Sequence, residues 1–160
     1  MSRVKRYLIA GLVAGIVYAV LGPVFVNHIL DPTLAGELNA LIERLSNGSA
    51  APAEHTAESA ADAGYWVVFV KHVGARLLWG FVTMAAFAWL RRRRARLLAS
   101  CLAGAVAWFL FYVVVPSIMA SKYGMSVTLF CVCVGYGLVE TQLAALAGAL
   151  TWGKPAPKGA

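Results

Sequence analysis

The chain is poor in charged residues. Only 13% of its 160 residues are Asp, Glu, Lys or Arg, whereas 61% are hydrophobic. Soluble domains carry about 25% charged and about 45–50% apolar residues, so this composition excludes an ordinary soluble domain. The mean hydropathy of +0.73 indicates membrane-spanning helices instead. Because each span needs about 20 apolar residues, the chain has room for about four.

Acidic residues are scarcer than basic ones. There are seven of them against 14 Lys and Arg, which gives a formal net charge of +7. In a soluble protein this surplus would suggest nucleic acid. Here the basic residues flank apolar runs, where anionic lipid is a sufficient partner. We therefore predict a lipid bilayer and no nucleic acid as the partner.

Patterns that carry chemistry are missing as well. Cys101, Cys131 and Cys133 lie in apolar runs, which predicts buried fillers rather than a disulfide framework. His28 and His72 flank spans without other close ligands. The sequence has no G-x-S-x-G, P-loop, H-E-x-x-H or dinucleotide fingerprint. We predict no catalytic residue, no metal, no cofactor and no enzymatic activity.

Long apolar runs dominate what is present. They predict an all-α, four-transmembrane-helix bundle that forms one integral membrane domain over residues 1–160. The predicted spans are residues 7–27, 66–90, 97–119 and 126–152. A signal peptide is the competing interpretation of the first run. The run is longer than a usual signal segment and no A-x-A site follows it, so we favour an uncleaved helix.

The predicted loop, residues 28–65, contains one further helix. Asp31-Pro32 is typical of a helix start, leucines recur after it at helical spacing, and Asn47-Gly48 ends the pattern. This short amphipathic helix lies in the membrane interface, packs over the outer mouth of the bundle, or simply shields the backbone of the loop, and we favour the last of these. Residues 49–64 show no periodicity and are predicted to be a flexible linker.

Charge also predicts the orientation. Lys and Arg in short loops mark the cytoplasmic side of a membrane, and they occupy the leader, the turn after the second span and the tail, whereas six acidic residues fall in the long loop. We predict a multi-pass protein of a bacterial cytoplasmic membrane with both termini in the cytoplasm. The turn holds five arginines that we expect to contact anionic lipid headgroups: Arg91, Arg92, Arg93, Arg94 and Arg96.

Glu140 and Arg76 are ionisable residues inside predicted spans. Each costs about 3 kcal/mol to insert, so each is expected to face the bundle interior with a partner. Their helix positions place them within about 6 Å of the same depth, within reach of an arginine side chain. They are predicted to form a buried pair that fixes helix register. One alternative is a proton or ion site with Glu140 as the titrating group. In another, Arg76 reaches the outer interface and Glu140 is satisfied by Tyr136, Gln142 or water.

Small residues predict the packing faces. Gly11 and Gly15 form a G-x-x-x-G pair that lets another helix approach closely. In the last span one narrow stripe contains mostly small residues, namely Cys133, Gly137, Glu140, Ala144, Ala147 and Thr151. We expect Gly137 and Ala144 to be its packing positions.

Four segments together resemble a family of small bacterial four-helix membrane proteins of uncharacterised activity. They are GLVAGIVYAVLGPVFVN, GARLLWGFVTMAAFAWLRRR, LAGAVAWFLFYVVVPS and YGLVETQLAALAGALTW. The resemblance covers the four spans and omits residues 31–64. It implies the four-helix fold but no activity.

Taken together, the sequence favours a non-enzymatic membrane protein, a structural or accessory subunit that associates through small-residue faces. The partner would be a second copy of the chain or another membrane protein. The alternative is a small proton-coupled transporter or ion carrier that uses Glu140.

Overall fold

A computed structural model describes residues 2–47 and 57–152, and within them all regular structure is helical. A π-helical turn at Phe25–Ile29 follows α1, and another at Phe109–Val114 joins α4 to α5. The α-helices are α1 (Arg3–Val24), α2 (Pro32–Asn47), α3 (Ala57–Leu90), α4 (Arg96–Trp108), α5 (Val115–Tyr123) and α6 (Val127–Thr151).

Four helical stretches are long and apolar enough to cross a membrane: Arg3–Val24, Val70–Leu90, Arg96–Lys122 and Val127–Thr151. The predicted all-α fold with four candidate spans is confirmed. The chain is therefore a multi-pass membrane protein by the length and composition of its helices. In the bundle, α1 packs against α3 and α6, and α4 packs against the same two helices.

The bundle has an inverted distribution of side chains compared with a soluble protein. Large apolar residues such as Leu8, Leu12 and Ile16 are exposed along one row of α1. The interior is built from small residues and a few polar ones, among them Thr83 and Thr141. This arrangement suits lipid, because apolar chains solvate the outer face while small residues allow close packing inside.

The closest helix crossing joins α1 to α3. A Cβ atom added to Gly80 would lie 2.2 Å from the backbone nitrogen of Gly15 and 2.5 Å from the carbonyl oxygen of Gly11. Only glycine permits this approach. The predicted packing residues Gly11 and Gly15 therefore meet α3, and their partner Gly80 is one that the spacing rule did not identify.

The start of α3 differs from the prediction. Residues 57–64 were predicted to be part of a flexible linker, but α3 begins at Ala57. The segment AESAADA is rich in strong helix formers, and a helix already nucleated in the span extends at little cost. The rest of that predicted linker, residues 49–56, lies outside the described residues. The helix α2 ends before it, at Asn47.

Both π-helical turns lie next to a proline. Pro23 precedes Phe25–Ile29, and Pro116 follows Phe109–Val114. Pro116 lacks the N–H that the turn before it needs, so the ladder of hydrogen bonds must change in the second of these turns. This turn carries Tyr112 into the bundle, where it is buried.

The amphipathic helix α2 packs over one end of the bundle, as one of the alternatives left by the sequence has it. Leu30, which precedes α2, is buried with Phe25 and Leu129, and Leu34 and Leu38 pack against them. This packing lowers the cost of exposing these apolar side chains to water.

Two carboxylates fix α2 in place. The Asp31 carboxylate accepts hydrogen bonds from the Thr33 backbone N–H, at 2.9 Å, and from the Thr33 hydroxyl. These bonds lower the pKa of Asp31, so the cap is complete at neutral pH and is lost only as the pH falls through that lowered value. Glu37 accepts from the backbone N–H and the hydroxyl of Ser126, both at 2.7 Å, at the start of α6.

The glycine crossing gives a testable prediction. Gly80→Ala should lower the free energy of unfolding by about 1–3 kcal/mol, because the new methyl group overlaps the α1 backbone. The matched control is Gly74→Ala on the same helix, where an added Cβ meets no atom within 4 Å. Its effect should stay within about 0.5 kcal/mol. Denaturation of the purified chain by an anionic detergent measures both, and equal effects would contradict the crossing.

Candidate functional site

Arg76 on α3 and Glu140 on α6 meet inside the bundle. The Arg76 Nη1 atom lies 2.9 Å from Glu140 Oε1. The Glu140 side chain has no exposed surface, and the Arg76 side chain keeps 15%. The pairing that the sequence predicts from the cost of isolated charges is therefore present in the structure. A buried ion pair of this kind is stable only when its remaining polar atoms also find partners.

Tyr112 supplies one of those partners. Its hydroxyl donates to Glu140 Oε2 and accepts from Arg76 Nη1, the latter at 2.8 Å. Each oxygen of the carboxylate is thus hydrogen-bonded. Gly137 makes room for the tyrosine, since a Cβ there would lie 2.1 Å from the Tyr112 ring. The predicted packing position Gly137 therefore serves a specific side chain as well as general helix packing.

Gly22 and Trp79 form the other walls around the guanidinium. A Cβ at Gly22 would lie 2.9 Å from Arg76 Nη2. The Arg76 Cζ atom lies 4.7 Å from the centroid of the Trp79 ring, within the range of a cation–π interaction. Trp79 is in turn stacked on Phe111, with ring centroids 4.4 Å apart. Aromatic rings thus replace water on one face of the cation.

A second polar layer lies beside the first. The Thr83 hydroxyl donates to the Trp79 carbonyl oxygen at 2.8 Å, and Tyr18 and Thr83 hydroxyls are 3.1 Å apart. Since Thr83 uses its proton on the carbonyl, Tyr18 is the donor between the two hydroxyls. Tyr18 is fully buried and stands edge-on to Trp79. This layer connects α1 to the α3 segment that carries Arg76.

Tyr136 provides a separate link between α6 and α1. Its hydroxyl donates to the Leu21 carbonyl oxygen at 2.7 Å, and its ring stacks on Phe25 with centroids 4.0 Å apart. Leu21 lies next to Gly22, so this link holds α1 against the guanidinium. Tyr136 was considered as a partner of Glu140, but its hydroxyl bonds to Leu21 instead. Tyr112, Tyr18, Trp79 and Gly22 were not predicted as site residues. Nothing in an apolar run distinguishes an aromatic side chain that faces a buried charge from one that faces lipid.

The last span's buried stripe differs in part from the predicted one. Gly137, Glu140 and Ala144 are buried, as expected. Thr151 is exposed, however, and Ala147 is only half-buried, while Gly148 and Ala149 are the interior positions near that end. The reason is local: an added Cβ at Gly148 would meet the Met84 sulfur at 2.4 Å, so α3 packs on that face.

The remaining predicted residues lie outside this cluster. Cys101 and Cys131 are exposed and Cys133 is half-buried, so the prediction that they act as buried fillers is wrong for the first two. His28 and His72 are exposed. Among the residues that the structure describes, no three His, Cys, Asp or Glu side chains form a group that could hold a metal ion.

Arg96 has a role that its sequence context does not reveal. Its guanidinium donates to the carbonyl oxygens of Ala149 and Leu150 at the end of α6, with Nε 3.0 Å from the former and Nη2 2.9 Å from the latter. These carbonyls would otherwise lack partners at a helix C-terminus, where a positive charge is also favourable. Arg96 therefore caps α6, which separates it from the four other arginines that were predicted to contact lipid headgroups.

Comparison of the chain with protein-family models, curated proteins and solved structures finds no significant match. The likeness to four-helix membrane proteins noted above therefore stays a resemblance. What the chain does must be inferred from its own geometry.

The hydroxyl of Tyr112 gives the second prediction. Tyr112→Phe should lower the free energy of unfolding by about 1–3 kcal/mol, because it leaves a buried carboxylate oxygen without a donor. The same change in the Arg76→Met/Glu140→Met background should cost much less, since the hydroxyl has lost its charged partners. Unfolding in detergent measures both. An equal cost in the two backgrounds would contradict this account, because the contribution of the hydroxyl would then not depend on Arg76 and Glu140.

Proposed function

We propose that the protein is a non-enzymatic membrane protein, a structural or accessory subunit, in which Arg76, Tyr112 and Glu140 lock the spans together. The observation that carries this proposal is the enclosure of the Glu140 carboxylate. Glu140 has no exposed surface, and each of its carboxylate oxygens accepts a hydrogen bond within the chain. A group that binds substrate or exchanges protons must be reached by its partner, and the Glu140 side chain has no accessible surface for this.

The topology belongs to the proposal as well. The start of α1, the end of α3 and the end of α6 come together at one end of the bundle, which we call the basic end and define by Arg3, Arg6, Arg91 and Arg92. By the positive-inside rule this end faces the cytoplasm. Both termini then lie on the cytoplasmic side of a bacterial inner membrane.

Association with a partner would use the outer faces of the helices. The small residues that were expected to contact a partner are buried inside the bundle instead: Gly11, Gly15, Gly137 and Ala144. What remains outside are apolar side chains such as Leu78 and Val139. We propose that a second copy of the chain or another membrane protein contacts this lipid-facing surface.

The test compares stability with transport. Glu140→Gln should destabilise the bundle by about 3–5 kcal/mol, because it leaves the Arg76 cation buried without its counter-ion. Arg94→Met, which removes an exposed arginine from the turn, is the control and should change stability by less than about 0.5 kcal/mol. Both variants are purified in detergent and compared by unfolding, then reconstituted in liposomes for proton flux.

A carrier would give the opposite pattern. Glu140→Gln would then fold with the stability of the parent, and the parent would conduct protons across liposomes while the variant would not. That result would replace the structural role with the proton-coupled one. The structural role predicts that Glu140→Gln loses stability and that the parent conducts no protons across liposomes.

A further inference from the structure

A cleft opens at the basic end between α1 and α3. Its volume is about 440 Å³, which falls within the range of ligand-binding pockets. Its polar rim and its aromatic wall come from α1, from the turn after α3 and from the residue that follows α6: Arg3, Arg6, Tyr7, Arg91, Arg92 and Trp152. Among the described residues that line it, none is acidic.

One guanidinium group in this cleft has a buried donor. The Nη1 atom of Arg91 is inaccessible to solvent and has no hydrogen-bond partner among the residues that the structure describes. Buried donors are almost always paired, and the cost of leaving one unpaired is greatest for a charged group. An anion with several acceptor oxygens in the cleft would satisfy it once the guanidinium turns toward that anion, and arginine matches phosphate oxygens in a two-pronged geometry.

The surroundings favour a lipid as the source of that phosphate. Tyr7 and Trp152 are the residue types that occupy membrane interfaces at headgroup depth. Val4 lines the cleft and begins an exposed apolar row that continues through Leu8 and Leu12 along α1. These residues are 67%, 51% and 46% exposed. An acyl chain below a bound headgroup would lie along this row, whereas a free phosphate would leave it unused.

We propose that this cleft binds the phosphate group of an anionic phospholipid, with Arg91 and Arg92 on one side and Arg3 on the other. Basic pockets between spans on the cytoplasmic side are a known mode of headgroup recognition. The site differs from a general attraction of the arginine-rich turn to the membrane. Arg93 and Arg94 belong to the same turn but line a separate recess with Trp89 and Leu90.

The two arginine pairs provide a matched test. Arg91→Gln/Arg92→Gln and Arg93→Gln/Arg94→Gln each remove two positive charges from one turn. The full chain is purified in an uncharged detergent, and its thermal midpoint is followed while phosphatidylglycerol is added. Phosphatidylcholine and inorganic phosphate serve as separate arms. A ligand that binds only the folded chain raises the midpoint as its concentration rises, and the dependence gives an apparent affinity.

The site predicts that phosphatidylglycerol stabilises the parent and that the Arg91/Arg92 pair weakens its apparent affinity about tenfold or more. The Arg93/Arg94 pair should retain the parent's affinity. Equal weakening by both pairs would overturn the site in favour of diffuse attraction. Equal stabilisation by inorganic phosphate or by phosphatidylcholine would overturn the anionic lipid as its ligand.

A variant on α1 provides a control for the case in which the variants in the turn misfold. Arg3→Gln lies on α1, outside the turn, and circular dichroism and gel filtration establish that each variant is folded. If the cleft is one site, Arg3→Gln also weakens phosphatidylglycerol binding, and unchanged binding would contradict it. The cleft is separate from Glu140, so its test and the test of the structural role succeed or fail independently.

Discussion

The described part of the structure depends on the buried ion pair between Arg76 and Glu140, which lies in a largely apolar bundle. Arg76 and Glu140 could each cross a membrane only at a substantial cost if they were alone. As a pair, their charges neutralise each other, and the Tyr112 hydroxyl donates a hydrogen bond to the second carboxylate oxygen of Glu140. Such a pair contributes little net stability compared with an apolar core, but the loss of either member leaves a buried charge. We propose that its effect is to exclude alternative registers of α3 against α6.

The pair requires helices that approach one another closely. Gly80 brings the backbones of α1 and α3 into contact, Gly22 leaves space for the guanidinium, and Gly137 leaves space for the Tyr112 ring. Without hydrophobic driving force between spans in lipid, packing and interhelical hydrogen bonds must supply the association. The glycines and the charged cluster therefore act together, because the side chains can reach one another only where the backbones lie close.

The parts of this architecture that could be predicted from the sequence are those that depend on whether a residue is more stable in water or in lipid. Long apolar runs and a basic turn identified the four spans, and the cost of isolated charges paired Arg76 with Glu140. The sequence could not identify Tyr112 or Trp79, because an aromatic residue in an apolar run gives no sign of what it faces. The α3 segment before Trp66 was missed for a related reason. Its sequence has no hydrophobic periodicity, and only its alanine content favours a helix.

The most direct measurement is the coupling free energy between Arg76 and Glu140. Arg76→Met, Glu140→Met and the double variant are each unfolded in detergent, and the departure from additivity isolates the pair. The account predicts that each single change is strongly destabilising, that the double change restores much of the loss, and that the coupling exceeds about 1 kcal/mol. Additive effects within about 0.5 kcal/mol would contradict it, and the register of the bundle would then have to come from the glycine contacts alone.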